Sequence, residues 1–253
     1  MSKIIAIANQ KGGVGKTTIS INLAAGLALQ GSRVLLIDFD PQANATEGVG
    51  IKSDEIQFAV QDVLHKKVKI TDAIRPTEVE NLFVVPANIN LDTAEQQLLT
   101  ANFRESLLKR AIKGLDFDYI LIDCRPSVSL LTVNAIFASD FVIVPCKLNK
   151  NSLNGLSNIL ITINKIQNGD FEENGRIRIV LNDYDQRNKI VNDWIFGELK
   201  AYENLMFKTI IRKNAAFDQA EVAEQPILKI NPESRGAEDI NNLINEVIEL
   251  CQK

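Results

Sequence analysis

Short runs of apolar residues recur along the chain, and between them lie longer segments whose apolar positions recur at helical spacing. The apolar runs that suit buried strands are residues 3–9, 33–38, 82–86, 118–123, 141–145 and 176–182. Continuous apolar strands are typical of parallel sheets that are covered on both faces. Segments such as TTISINLAAGLALQ and NGLSNILITINKIQ are amphipathic helices by the same criterion. This alternation predicts one doubly wound α/β domain over residues 1–253, with a mostly parallel sheet flanked by helices.

The last segment, AEDINNLINEVIELCQK, has the pattern of an amphipathic helix. Its apolar face consists of Ile240, Leu243, Ile244, Val247, Ile248 and Cys251. The charged residues around that face are mostly acidic, whereas helices that lie on membranes favour Lys and Arg on their polar face. We therefore expect a closing helix over about residues 236–251 that packs on the domain, and no membrane anchor.

The composition fits a globular domain and argues against some classes of function. Hydrophobic residues make up 45% of the 253 positions, which is enough for a sizeable buried core. The net charge of -4 argues against a wholly basic nucleic-acid binder, although a local basic face stays compatible with it. The first apolar run is too short, and too soon followed by Asn and Gln, for a signal peptide or a membrane span, so we expect a cytoplasmic protein.

The three cysteines do not suggest a metal or redox centre. Cys124, Cys146 and Cys251 are isolated in the sequence and form no C-x-x-C pair. An odd number of isolated cysteines suits reduced thiols. We therefore expect all three to be packing residues.

A glycine-rich loop, NQKGGVGKTT, follows the first predicted strand and opens the first predicted helix. Glycines let main-chain N–H groups approach phosphate oxygens, and a helix N-terminus favours an anion. In such a loop Lys16 reaches the β- and γ-phosphates, and the Thr17 hydroxyl is a ligand for Mg²⁺. The candidate nucleotide-binding residues in the loop are Gly12, Gly13, Val14, Gly15, Lys16, Thr17 and Thr18.

This loop departs from the general phosphate-binding pattern G-x-x-x-x-G-K-[ST]. Gln10 occupies the place of the first glycine, and an additional lysine, Lys11, follows it. From the residues alone, Lys11 is either a solvated side chain of the loop or a further cation for the phosphates.

Carboxylates follow two of the predicted strands where these strands end. Asp38 and Asp40 stand at alternate positions after the apolar run VLLI, and Asp123 ends the run YILI. Because ligands of open α/β sheets bind beyond the carboxyl ends of the strands, we expect these side chains at the same edge as the glycine-rich loop. A strand-end aspartate can also cap the next helix, so the pattern alone leaves both interpretations open.

The loop with its additional lysine resembles the deviant phosphate loop of the ParA/MinD family of P-loop ATPases. The segments VLLIDFDPQANAT (34–46) and DYILIDCRPS (118–127) are similar to the second acidic motif and the Walker B region of that family. The segments LLTVNAI, NGLS and SRGAE match its chromosome- and plasmid-partition branch, ParA/Soj, in order and at similar spacing. The resemblance implies a P-loop NTPase fold of the deviant Walker A class, with ATP and Mg²⁺ as cofactors.

The resemblance also implies roles for individual residues. Lys11 would cross a nucleotide-sandwich homodimer and contact the phosphates of the partner subunit, where a cation neutralises charge that develops during phosphoryl transfer. Lys16 would hold the phosphates of its own subunit, and Asp40 would position or activate the attacking water. The implied catalytic residues are therefore Lys11, Lys16 and Asp40, and the implied residues of the Mg²⁺ shell are Thr17, Asp38 and Asp123.

Partners follow from the same resemblance. Partition ATPases of this branch bind DNA without sequence preference as ATP dimers, and a ParB-type protein stimulates their slow hydrolysis. The resemblance therefore implies a nucleoid-associated protein whose phosphate contacts are weakened by salt. The candidate DNA-binding residues are Arg187, Lys189, Lys208, Lys213 and Arg235.

The chain departs from the family pattern near the expected adenine site. In IIRKNAAFDQAE (210–221), Arg212 replaces a proline beside the adenine, and Ala216 replaces an arginine implicated in DNA contact. Asn214 still matches an expected nucleotide contact, so Arg212 and Asn214 complete the candidate nucleotide-binding set. These changes either move charge between DNA-facing elements or abolish the affinity for DNA.

Two further departures affect loops beside the expected nucleotide site. Arg125 stands where the partition branch commonly has the first of two prolines, in a loop that would sense the γ-phosphate. The segment CKLNKNSLNG (146–155) replaces a segment that is acidic and aromatic in the family, and it adds Lys147 and Lys150.

Three other functions share parts of this pattern. A MinD-type ATPase would act on a membrane or a protein scaffold without DNA, and the acidic last segment disfavours the membrane form. An iron–sulfur ATPase related to the nitrogenase iron protein needs cysteines that bridge a cluster across a dimer, and Cys124 is a poor match for that. A nucleotide-gated scaffold that does not hydrolyse ATP is disfavoured by the presence of Lys16 and Asp40.

Overall fold

The structure is a computed structural model that describes residues 2–147, 149–167, 169 and 175–252, with only the backbone described for residues 150–154. Its strands are β1 (Lys3–Ile7), β2 (Val34–Phe39), β3 (Arg75–Pro76), β4 (Leu82–Val85), β5 (Tyr119–Cys124), β6 (Phe141–Lys147), β7 (Ile177–Tyr184) and β8 (Met206–Arg212). They form one sheet in the order β3-β4-β2-β5-β1-β6-β7-β8. Only the β3–β4 pair is antiparallel among the described strands. The predicted mostly parallel α/β fold is confirmed.

Helices cover both faces of this sheet. They are α1 (Lys16–Leu29), α2 (Asn44–Glu47), α3 (Val60–Leu64), α4 (Ile70–Ala73), α5 (Asn90–Leu98), α6 (Leu107–Ala111), α7 (Leu130–Ala138), α8 (Lys150–Ile166), α9 (Lys189–Leu199), α10 (Ala215–Val222), α11 (Ile227–Ile230) and α12 (Arg235–Gln252). Short 3₁₀ helices span Ser53–Glu55, Arg104–Ser106 and Lys200–Leu205.

The strands alternate their side chains between two apolar layers. On β1, Ile5 and Ile7 face a layer that includes residues of α1, α10, α11 and α12. Ala6 and Ala8 face the opposite layer, which includes residues of α3 and of α5 to α9. A sheet that is covered on both faces needs apolar residues at successive positions, which explains the continuous apolar runs.

Two strands were not predicted from the sequence, namely β3 and β8. The first has only two residues, one of which is Pro76. In β8, the exposed Lys208 and the half-buried Thr209 interrupt the apolar pattern because this strand lies at the edge of the sheet. Edge strands are covered on fewer sides, so the rule of continuous apolar runs does not apply to them.

The last helix, α12, packs its apolar face on the sheet and on α1. Its side chains that are fully buried include Ile240, Leu243, Ile244 and Val247. Ile244 packs so closely on α1 that a Cβ atom at Gly26 would lie 2.0 Å from its Cδ1 atom. The close approach of the two helices therefore requires glycine at this position.

The carboxylate of Glu246 on α12 covers the open edge of β8. It accepts hydrogen bonds from the main-chain N–H groups of Lys208 and Thr209, at 2.8 and 2.7 Å. Unpaired main-chain donors on an edge strand are a template for association with another strand. This contact satisfies two of them.

Strand β1 lies at the point where the strand order reverses, with β5 on one side and β6 on the other. Ligands of open α/β sheets bind in the crevice at such a point, beyond the carboxyl ends of the strands. The glycine-rich loop leaves β1 at this crevice.

Candidate functional site

The glycine-rich loop, residues 8–15, joins β1 to the first turn of α1. Gly13 and Gly15 have φ angles of 69° and 91°, in the left-handed region that favours glycine. Gly15 is the residue that precedes α1, and its carbonyl accepts the hydrogen bond from Ile19 N–H. The free N–H groups of the first helical turn therefore lie at the loop, which suits an anion.

Asn9 fixes the start of the loop, a role that the sequence did not reveal. Its side chain is 1% exposed. Its Nδ2 atom donates to the Pro145 carbonyl at the end of β6 (2.7 Å), and its Oδ1 atom accepts from the main-chain N–H of Lys11 (3.0 Å). A buried amide with both groups paired holds the loop in one position relative to β6.

Asn182 fixes the end of the loop from β7. Its Nδ2 atom donates to the carbonyl of Val14 at 2.8 Å. A Cβ atom at Gly15 would lie 2.0 Å from the same Nδ2 atom, so the close approach of β7 requires glycine here. Sequence reasoning missed Asn182, although a polar residue at the end of the apolar run RIRIVLN was a usable signal.

Lys16 points from the start of α1 into the loop and toward the carboxylates. It is 6% exposed, and its Nζ atom donates to the Lys11 carbonyl at 3.1 Å. Burial lowers the pKa of Lys16, and the nearby Asp123 carboxylate opposes that change. The ammonium is therefore a buried cation held on the inner side of the loop.

The Lys11 side chain takes a different direction. Its Nζ atom donates to Oδ1 of Asn149, at 2.8 Å, just after β6. Its charge acts on the nearby Cys146 thiol, whose pKa burial nevertheless raises to about 11. Lys16 thus lies near the carboxylates of β2 and β5, whereas Lys11 is held on the β6 side of the crevice.

Asp123 at the end of β5 is fully buried beside the start of α1. Its carboxylate accepts hydrogen bonds from the Thr17 hydroxyl (2.7 Å) and the Ser20 hydroxyl (2.8 Å). Burial raises the pKa of Asp123 to about 6, while these two hydrogen bonds lower it. The sequence indicated Thr17 and Asp123, but it gave no sign of Ser20.

Asp38 is the neighbour of Asp123 across the β2–β5 pair. It accepts hydrogen bonds from the main-chain N–H and the hydroxyl of Thr46, at 2.8 and 2.7 Å. Burial raises the pKa of Asp38 to about 7, and the adjacent Asp123 charge adds to this effect. Two buried carboxylates side by side favour a cation nearby.

Asp40 immediately follows β2 and is only partly buried. Its N–H donates to Asp38 Oδ1 (3.1 Å), and its own Oδ1 accepts from Gln42 N–H (3.0 Å). Its charge acts on Lys16. The structure therefore brings the three predicted carboxylates and Lys16 to one edge of the sheet.

The donor set at this edge fits Mg²⁺ bound together with a nucleotide. Among the described residues, no group of three or more His, Cys, Asp or Glu side chains is arranged to hold a metal ion. Mg²⁺ commonly takes one or two protein oxygens and completes its shell with phosphate and water. The Thr17 hydroxyl and the buried Asp123 carboxylate, in direct contact, are such oxygens.

Arg125 faces α5. Its Nη1 atom contacts the carboxylates of Asp92 and Glu95, both at 2.8 Å. The buried Glu95 also accepts a hydrogen bond from the main-chain N–H of Leu131, at the start of α7. Arg125 therefore ties the loop after β5 to α5, and sequence reasoning missed Glu95 as its partner.

Residues predicted to bind adenine and residues predicted to bind DNA line one surface pocket beyond β7 and β8. The pocket includes Arg187, Arg212, Lys213, Asn214 and Arg235. Asn214 Oδ1 accepts from the N–H of Ala216 at 2.9 Å, which caps α10 and leaves the Nδ2 donor for another acceptor. Their contacts with adenine or DNA stay predictions.

Carboxylates offset two of the cations in this pocket. Arg212 contacts Asp239 and Glu238 of α12 at 2.6 and 2.7 Å. The exposed Arg187 pairs with Asp185 at 2.6 Å, and the Arg187 hydrogen bond holds the pKa of Asp185 well below its usual range. Among the described residues, Lys213 and Arg235 form no ion pair.

The remaining DNA candidates lie outside the pocket lining. Lys208 is four residues before the end of β8. It therefore lies about 13 Å from the pocket along the strand, toward the amino end of β8. Lys189 is exposed at the start of α9. This helix also exposes Ile190, Val191 and Trp194, by 87, 47 and 46%. An exposed apolar patch therefore adjoins the basic pocket.

The structure also locates the other departures from the family pattern. Lys147 pairs with Asp183 at 3.0 Å, so its charge is offset. The Lys150 side chain lies outside the described residues. Ala216, at the place of the family's arginine, is buried at the start of α10.

The three cysteines are free and buried. Burial raises the pKa of Cys251 to about 11 and that of Cys124 well above the usual range. Over the described part of the chain, the helices are all too short or too polar to cross a lipid bilayer.

Comparison with known proteins identifies the family of the chain. A family model described as an AAA domain matches residues 2–179. The sporulation initiation inhibitor protein Soj of Bacillus subtilis is 44% identical over 252 residues, which cover 98% of each chain. The chromosome partitioning protein ParA of Myxococcus xanthus is 38% identical over 98% of this chain and 88% of its own length.

Solved structures show the same fold, and one of them holds a bound nucleotide. The crystal structure of cobyrinic acid a,c-diamide synthase from Mycobacterium smegmatis, with bound ADP and magnesium, matches with a TM-score of 0.84 and 30% identity. The match covers 100% of this chain and 96% of that one. Pyrococcus furiosus cell division ATPase MinD matches with a TM-score of 0.79 and 26% identity, over 99% of this chain and 100% of its own. With the phosphate loop, the paired lysines and the near full-length identity to Soj and ParA, the chain belongs to the ParA/Soj family of P-loop ATPases.

Proposed function

We propose that this protein is a partition switch in which ATP and Mg²⁺ drive a sandwich homodimer that binds DNA without sequence preference. A ParB-type protein stimulates its slow hydrolysis of ATP and so resets the switch. The observation that carries the proposal is the divergence of the two loop lysines, with Lys16 near the carboxylates and Lys11 on the β6 side. The name of the relative ParA, a chromosome partitioning protein, supports the partition role.

In each subunit the loop N–H groups and Lys16 hold the phosphates. Thr17 and Asp123 are the protein ligands or outer-shell contacts of Mg²⁺, and Asp38 braces Asp123 from the neighbouring strand. When bound, Mg²⁺ would offset the negative charge of the phosphates. Asp40, at the partly exposed end of β2, orients the attacking water. Such a site works by positioning and electrostatics, with little covalent chemistry by the protein.

Lys11 supplies the link between hydrolysis and dimerisation. Lys16 serves the phosphates on its own side of the loop, and Lys11, held by Asn149 on the β6 side, serves a nucleotide that faces it from another subunit. A cation that arrives from a partner acts as an arginine finger does, because it stabilises charge only in the assembled state. Dimerisation then depends on ATP.

The basic pocket supports contact with DNA phosphates. Arg187, Lys213 and Arg235 are exposed at its rim. Contacts of this kind are independent of sequence and weaken with salt. Asn182 contacts the phosphate loop, and it stands two residues before Tyr184, which lines the pocket. A change of nucleotide state at the loop can therefore alter this surface.

A MinD-type role on a membrane is less well supported. The apolar face of α12, the segment considered as an anchor, is buried against the sheet and α1. A helix that binds a membrane needs that face free. If the protein instead acts on a protein scaffold, it should dimerise with ATP without binding DNA. The test below distinguishes this alternative from the partition switch.

The test is binding of the purified protein to random-sequence duplex DNA with no nucleotide, ADP or ATP, and with ATP for Asp40→Ala, over a salt series. We expect binding with ATP alone, longer-lived binding for Asp40→Ala, and a steep loss of affinity with salt. A protein that dimerises with ATP and ignores DNA at low salt would refute the DNA half of the proposal. Binding to liposomes in the same conditions would favour the MinD-type role.

A further inference from the structure

We propose that Asn149 is a positioning residue that retains the Lys11 ammonium on its own subunit and releases it when the dimer forms. Because Lys11 acts on a partner's phosphates only in the proposed function, this role of Asn149 rests on that function.

The contact joins two segments that are fixed independently. Lys11 belongs to the phosphate loop, whose main chain is held by Asn9 through the Lys11 N–H. Asn149 follows β6, and its N–H donates to the Lys147 carbonyl at 2.9 Å, which ties it to the end of that strand. The Nζ to Oδ1 distance of 2.8 Å is that of a good hydrogen bond to a charged donor.

A contact with a phosphate of another subunit requires the ammonium to exchange acceptors. The acceptor that Asn149 provides is a neutral amide. An amide binds an ammonium more weakly than a carboxylate does, so the hold is reversible. Asn149 therefore lowers the fraction of subunits whose Lys11 is ready to cross, and the affinity of the dimer falls as that fraction falls.

The effect counts twice in a symmetric dimer, because each subunit must release one lysine. A retention of about threefold in each subunit thus changes the dimer dissociation constant by about tenfold. Removal of the acceptor should tighten the dimer, whereas a charged acceptor should weaken it.

The experiment measures the dissociation constant of the ATP-dependent dimer by analytical ultracentrifugation, in an Asp40→Ala background that prevents turnover. We expect Asn149→Ala to tighten the dimer about tenfold and Asn149→Asp to weaken it by at least as much. Asn242→Ala and Asn242→Asp make the same two changes at an exposed position of α12 and should leave the constant unchanged. Lys11→Ala should abolish the ATP dependence.

The outcomes separate the two proposals. If the parent protein does not dimerise with ATP, the proposed function itself is wrong. If it dimerises and Lys11→Ala prevents this, but both Asn149 variants match the parent or both weaken the dimer, then Asn149 does not retain Lys11. Damage to the loop would weaken the dimer in both variants. A tighter dimer for Asn149→Ala together with a weaker dimer for Asn149→Asp is therefore a result that a merely structural role would not produce.

Discussion

The phosphate-loop region and the C-terminal basic region place their charged groups in different ways. Around the loop, Asp38, Asp123 and Lys16 are buried, and each is held by neighbours from other elements. In the basic region, Arg187 and Lys213 are exposed, and the first is offset by a carboxylate two residues away. Geometry therefore sets the chemistry of the loop, whereas net local charge sets the affinity of the C-terminal surface. The first should respond sharply to single substitutions and the second gradually.

The largest effect is expected in the phosphate-loop region, where the charged groups are buried. Lys16→Ala removes the cation nearest the carboxylates and leaves their charge without compensation. We expect the affinity for ATP to fall by about 100-fold or more, because charge-assisted contacts with phosphate are lost. Titration calorimetry with ATP and Mg²⁺ measures this, and the exposed Lys52→Ala is the control. Comparable binding by both variants would contradict the assigned role.

Asp40→Ala should separate binding from hydrolysis. The residue is partly exposed at the edge of the site and lies beyond the carboxylate pair that faces α1. We expect the rate of phosphate release to fall by about 100-fold while the affinity for ATP changes little. A phosphate-release assay and the same calorimetric titration provide the two quantities. Equal losses in both would place Asp40 in nucleotide binding instead.

Arg125→Ala tests a buried charge next to the loop. Without Arg125, the Glu95 carboxylate keeps the Leu131 N–H as its one hydrogen-bond partner among the described residues. We expect the free energy of unfolding to fall by about 2 kcal/mol, because a buried charge is left without its counterion. The half-exposed Asp92 loses less, so Asp92→Ala should cost under about 1 kcal/mol.

Urea unfolding of both variants measures these free energies. A larger loss for Asp92→Ala than for Arg125→Ala would show that burial does not set the strength of this contact.

Smaller effects are expected in the C-terminal region. Lys213→Ala and Arg235→Ala each remove one exposed cation from the pocket rim. Each should reduce the affinity for DNA in the presence of ATP by about threefold to tenfold, and should lower the slope of log affinity against log salt by about 1. Fluorescence anisotropy over a salt series measures both. An unchanged salt slope would exclude the residue from the DNA interface.

The smallest expected effect has the opposite sign. Asp185→Ala removes the carboxylate that offsets Arg187. Because exposed ion pairs contribute little, the affinity for DNA should rise by only about twofold to threefold. Asp193→Ala removes the same charge from an exposed position of α9 and is the control in the anisotropy assay. Equal gains from both would mean that net charge alone, and not release of Arg187, is responsible.

The sequence predicted the part of the fold and site that depends on local patterns. Central strands that are buried on both faces consist of continuous apolar runs, so β1, β2 and β5 could be predicted. Lys16 and Thr17 were evident because the spacing of a phosphate loop is local. The edge strand β8 was missed, because it has neither a continuous apolar run nor a local motif.

The partners of these residues could not be predicted, because each contact joins positions far apart in the chain. Asn182 meets Val14 across 168 positions, and Ser20 meets Asp123 across 103. A lone Asn or Ser has many equally good uses in a fold. Arg125 is a similar case: the sequence marked it as a departure, but its direction toward α5 depends on the packing of α5 over the sheet.

The chain contains a single tryptophan, Trp194, and it stands half-exposed on α9 beside the basic pocket. The protein therefore carries one tryptophan fluorophore, located on α9 and not at the phosphate loop. Its emission reports on solvent at α9 without any label. A shift of the Trp194 emission on addition of ATP, absent with ADP, would show in real time that ATP binding at the phosphate loop changes the surroundings of α9.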